Sequence, residues 1–110
     1  MKKRITSILV VLSMALSLMP FFALPASAVT AVAPLNSADS DAGTETNPYQ
    51  IATAGNLVWF SNNINSGTIP NSSYAVLTRD IDFNNEEWTP IGTYTGVFDG
   101  RNYNILNIIL

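Results

Sequence analysis

The brevity of the apolar runs after Tyr74 constrains this chain most. "YAVLTRDIDF" places Ala75, Leu77, Ile81 and Phe83 on one parity and Tyr74, Val76, Thr78, Asp80 and Asp82 on the other. That alternation predicts a strand with one buried face. Arg79 shares the buried parity, so a bend or bulge near Thr78 to Asp80 is expected to release it to solvent. "NNEE" then reads as a turn, "WTPIG" as a short strand broken by Pro90, "TGVFDG" as another strand closed by Asp99-Gly100, and "YNILNIIL" as the last. Strands this short, separated by Gly, Asn and Asp turns, suit a sandwich or a solenoid equally well.

The front of the chain is of a different kind. Lys2, Lys3 and Arg4 precede an apolar stretch from Ile5 to Leu24, and Pro25 precedes "ASA". Small residues at Ala26 and Ala28 match a signal-peptidase site, which predicts a signal peptide over 1–28. A membrane anchor competes, because about 20 apolar residues span a bilayer. Pro20 and the small residues after it favour cleavage after Ala28, so the chain is expected to be secreted or at the bacterial cell surface, with no membrane partner afterwards. Without the leader, Arg79 and Arg101 stand against eight acids, a net charge of −6. Such a chain is repelled by phosphate backbones and anionic lipid, which argues against nucleic acid. It has no Cys and no His. Disulfides, thiolate zinc sites and histidine bases are excluded together, and any catalysis would have to run on carboxylates.

The stretch 29–46, rich in Ala, Ser, Asp and Thr, reads as a disordered linker. "NPYQI" predicts a turn into a short strand. In "TAGNLVWFSNNINSG" Thr53 is placed to cap a helix over about 53–66, with Leu57, Phe60 and Ile64 on one face and Gly67 at the C-terminal cap. Gly55 and the many Asn are poor helix formers, so this helix needs tertiary packing. The predicted core is Leu57, Phe60, Ile64, Leu77, Ile81, Phe83, Trp88, Ile91, Phe98, Ile105, Ile108 and Leu110.

"GTETNPYQIATAGNLVWF", "YAVLTRDIDF", "EWTPIG" and "GVFDGRNYNIL" follow one another in the order seen in a family of bacterial surface proteins. The chain resembles the N-terminal region of secreted right-handed β-helix proteins whose later coils carry GLUG repeats. The resemblance covers Gly43 to Leu110. It departs at Gly100-Arg101-Asn102-Tyr103, where relatives usually read Gly-Asn-Gly-His, and at Leu106 and Ile109, which are usually polar. It implies a mainly β fold: an N-terminal cap and the first coils of a right-handed parallel β-helix over 47–110, with an amphipathic capping helix. The 37 residues from Tyr74 would make roughly two coils at about 20 residues each, fewer than the three repeats a solenoid usually needs. The uncharged end "ILNIIL" has the profile of a bare edge strand. Both points lead to the expectation of a truncated chain, whose partner is the remainder of a longer β-helix.

Three groups of residues invite chemistry. Asp80, Asp82, Asn84 and Glu86 alternate like the start of a calcium loop, but Asn85 stands where Gly is needed and Ile91 where the closing Glu belongs, leaving Asp80, Asp82 and Asn84 as weak metal candidates. Asp80 and Asp82 would lie about 7 Å apart on one strand face, a separation glycosidases use, though any alternating acidic strand produces it. Tyr49, Trp59, Trp88, Tyr94 and Tyr103 would either stack on host or cell-wall glycans or pack as core, with Tyr94 and Tyr103 the more exposed pair. No cofactor and no catalytic residue is expected. The predicted function is a non-catalytic capping and scaffold module of an adhesin-like surface protein. The alternatives are the front of a polysaccharide lyase or glycosidase and a free-standing small secreted domain.

Overall fold

The computed structural model describes residues 28–110. The leader expected over 1–28 lies outside the described residues apart from Ala28. In chain order the elements are β1 (Tyr49–Ile51), α1 (Ala54–Ser66), β2 (Ala75–Leu77), β3 (Ile81–Glu87), β4 (Phe98–Asp99) and β5 (Ile105–Ile109). Strands β1, β2 and β4 form one sheet in that order, and β3 and β5 form a second. Every pairing is parallel. Among the described residues no helix is long and apolar enough to cross a membrane.

The helix forms because its ends are supplied with partners. Thr53 is extended (φ −142°, ψ 162°) and its hydroxyl accepts the Asn56 N–H at 3.0 Å. Asn56 answers by accepting the Ala52 N–H through Oδ1, a reciprocal arrangement akin to a capping box. At the other end Gly67 adopts φ 79°, which only glycine takes cheaply, and its N–H reaches the Ile64 carbonyl. Gly55, unfavourable on propensity, is required by proximity. A Cβ there would sit 2.8 Å from the Thr30 carbonyl oxygen and 2.9 Å from Val32 Cγ2.

Those contacts belong to the stretch 29–46, read from the sequence as a disordered linker. It packs instead. The Val32 N–H donates to the Gly55 carbonyl, and Asn56 Nδ2 donates to the Val32 carbonyl. Pro34 is fully buried. The buried Asn36 side chain donates to Asn47 Oδ1 and the Pro48 carbonyl and accepts the Gln50 N–H. A polar composition hid this, because the segment is held by hydrogen bonds rather than by an apolar period.

The expected mainly β fold, the start of a right-handed parallel β-helix, is corrected. Among the described residues the structure is a small α/β fold with one helix and five short parallel strands in two small sheets, and no solenoid is present. The physical reason lies in the connections. The parallel pair β1 and β2 is joined by α1, a βαβ unit, and the helix lays its apolar face on the sheets. "WTPIG" forms no strand, and "TGVFDG" contributes only two residues of β4. "NNEE" lies within β3, where Asn84 (φ 52°) and Asn85 (φ 63°) take the left-handed region and shift the register between Asp82 and Glu86.

The core gathers around Phe60, which no solvent reaches. Tyr49, Ile51, Leu57, Ile64, Ile69, Ala75, Leu77, Ile81 and Phe83 are buried with it. Trp88, Ile91, Phe98 and Ile108 are half-buried against this cluster. Two predicted core residues are corrected: Ile105 is 37% exposed and Leu110 82% exposed, because both lie at the outer margin of the second sheet. Val76, on the parity expected to face water, is buried. Arg79 is exposed where the chain bends between β2 and β3.

Candidate interaction surface at the open sheet edges

Among the described residues the last strand of each sheet lies at a margin, as β1 and β3 do at the opposite margins. In the first it is β4, paired on one side only, with Ala75 opposite Phe98 and Val76 opposite Asp99. In the second it is β5, with Ile81 opposite Ile105, Asp82 opposite Leu106, Glu86 opposite Ile108 and Glu87 opposite Ile109. The backbone bonds that dock these margins run from the Ala75 N–H to Val97, from the Ile81 N–H to Asn104 and from the Trp88 N–H to Ile109. Facing outward are Val97, Tyr103, Ile105, Leu106, Ile109 and Leu110, all more than a third exposed. An apolar cleft of about 230 Å³, lined by Leu57, Trp88, Ile91, Tyr94, Phe98 and Ile105, opens beside them. Single exposed apolar residues are ordinary, whereas a run along a strand paired on one side only, beside an apolar cleft, makes this margin the candidate interaction surface.

Side chains clamp β5 to β3. Asp82 Oδ1 accepts the Asn84 N–H at 2.8 Å and Asn107 Nδ2 at 3.0 Å. The Asn107 bond, then the Asn84 bond, hold the Asp82 carboxyl below the usual carboxylate range. Asp80 Oδ1 accepts the Asn104 N–H at 2.8 Å. Asp80 and Asp82 therefore serve as strand-to-strand clamps on an exposed face, while Asn84 gives only its main-chain N–H to Asp82 within β3. No group of three or more Asp and Glu side chains is placed to hold a metal among the described residues. Asp99 does not join them; it lines a separate cleft with Glu45 and Arg101. Glu86 has a buried carboxylate oxygen, Oε1, without a hydrogen-bond partner beside the register shift, a feature with no signal in the sequence.

The aromatics pack against one another instead of forming an exposed stacking row. Tyr49 meets Trp59 at 5.4 Å and Phe60 at 5.9 Å between ring centroids, and Phe60 meets Tyr94 and Phe98 at 5.8 and 5.9 Å. Burial pushes the Tyr49 and Tyr94 hydroxyls up from their ordinary pKa. Tyr94 Oη donates to the Ser73 carbonyl, and Trp88 Nε1 donates to the buried Ser61 hydroxyl. Only Tyr103 of the five is an exposed aromatic at the open margin. The apolar run "YNILNIIL" located β5, but the same run placed Ile105 and Leu110 in a core, since an apolar strand reads the same whether or not something covers it.

No protein-family model, curated protein or solved structure matches this chain.

Proposed function

We propose that this chain is a non-catalytic scaffold module of a secreted or cell-surface protein, and that its two uncovered strands receive further short parallel strands of polypeptide. The observation that carries the reading is the open outer side of β5, which exposes Ile105, Leu106 and Ile109 beside an apolar cleft. Strand addition to an open edge gives affinity through main-chain hydrogen bonds and specificity through alternate side chains. The occupant follows from continuity: every pairing between the named strands is parallel, and β4 and β5 continue β2 and β3 in the same direction. No charged side chain lies on β5, so an apolar strand meets no charge there. The basic n-region, apolar run and "ASA" of the leader support export.

A synthetic peptide copying residues 94–110, the segment containing β4 and β5, tests this. Hydrogen exchange of the protein is followed with and without the peptide. Amides of 105–109 are expected to slow on addition and to be unaffected by a scrambled peptide. Unchanged exchange at saturating peptide would overturn the proposal.

A further inference from the structure

Asp99–Gly100 is the one Asp-Gly step in the chain, and it sits where β4 turns toward β5. We propose that this step is a site of spontaneous main-chain rearrangement, in which Asp99 becomes an isoaspartyl linkage. Three features of the turn favour it. The Asp99 side chain is 60% exposed. Its Oδ1 accepts the Arg101 N–H at 3.0 Å, which folds the carboxyl back over the intervening Gly100 peptide. The position a Gly100 Cβ would occupy is open space, and glycine itself puts no side chain beside the nitrogen that must attack.

The step consumes and returns only water. The Gly100 main-chain nitrogen bonds to Asp99 Cγ, the Cγ–OH bond breaks, and the hydroxyl leaves with the amide proton as water, closing a succinimide. Water then opens the ring at the former main-chain carbonyl carbon. The chain now runs through Cβ and Cγ, and the old main-chain carbonyl becomes a free carboxylate. One methylene is thereby added to the backbone between β4 and β5. The Arg101 N–H loses its acceptor, and the 3.9 Å approach of Arg101 Nε to Asp99 Oδ2 is lost. The strain falls on the first bonds of β5, from the Asn104 N–H to Asp80 and from the Ile81 N–H to Asn104.

Asp82 provides a control inside the same molecule. It makes the equivalent bond to Asn84 N–H at 2.8 Å, but the residue between is Phe83, whose side chain is buried. There the attacking nitrogen belongs to a residue with a bulky buried side chain, inside the strand that pairs with β5.

The test is prolonged incubation of the folded protein at physiological temperature. Mass spectrometry with electron-based fragmentation, together with labelling by an isoaspartate methyltransferase, locates the product. Isoaspartate is expected at 99 and not at 82, with faster hydrogen exchange at 104–106 in the rearranged fraction. Gly100→Ala, which meets no atom in this fold, is expected to slow formation roughly threefold by the added backbone restriction. Gly100→Val is expected to slow it further, and Asp99→Glu to abolish it. Asp99 remaining intact while a free peptide of residues 94–104 rearranges would overturn the proposal. Equal conversion at Asp82 would do the same.

Discussion

Replacing Leu106 and Ile109 together with lysine removes apolar surface from the uncovered strand while leaving its backbone in place. Leu106 is 43% exposed and Ile109 44% exposed. Full burial of such side chains is worth about 1.5–3 kcal/mol each, so the exposed fractions of the two carry about 2 kcal/mol available to an incoming strand. At tenfold per 1.4 kcal/mol, the double variant should bind the 94–110 peptide about 30-fold more weakly. The fold itself should lose less than about 1 kcal/mol, because the lysine methylenes cover the inner half of each site while the charge stays in water. Calorimetric titration measures the first quantity and urea unfolding the second. Gln50→Lys, on an exposed β1 position in the sheet margin opposite β4, serves as the control and should bind as the parent does. If the double variant binds the peptide with undiminished affinity while remaining folded, apolar strand addition at β5 is wrong.

Other consequences concern what holds the fold together. Phe60→Ala empties the centre of the aromatic cluster and should cost about 3–5 kcal/mol, a large part of the stability of a domain this size, read as a collapse of the urea midpoint. Asn36→Ala removes three hydrogen bonds from a buried side chain and leaves the Gln50 N–H and Pro48 carbonyl unpaired, for an expected loss of about 1–3 kcal/mol; no loss would mean that 29–46 does not pack. Gly96→Ala drives a methyl into the Ser73 carbonyl oxygen and should unfold or displace the 92–97 loop, seen as a changed Tyr94 environment in near-ultraviolet circular dichroism. Asp82 has a folded pKa below its unfolded value, so its contribution is present above the unfolded pKa and fades as pH falls through the folded one. Protection of the β5 amides should decline in acid below the usual carboxylate range, and Asp82→Ala should flatten that decline.

Local chemistry makes much of this protein legible in its sequence. Thr53, the Leu57, Phe60 and Ile64 spacing, and Gly67 define the helix through capping and periodicity, both of which depend on neighbours a few residues away. Alternation from Ala75 to Phe83 marked β2 and β3 and the exposed bend at Arg79 for the same reason. The acidic balance and the lack of Cys and His are properties of composition alone.

Tertiary structure decided what local pattern cannot carry. That 29–46 packs depends on Asn36 and Asn56 finding acceptors and donors more than ten residues away in the chain. That Gly55 belongs in a helix depends on Val32 passing over it. The architecture, two small parallel sheets packed against a helix, was set by which strands found one another, and parallel pairing joins segments too far apart for periodicity to register. The fate of β5 shows the limit most plainly. Its sequence says apolar, but whether apolar means core or open surface is decided by what lies on its other side, and no described residue covers Leu106 and Ile109 fully.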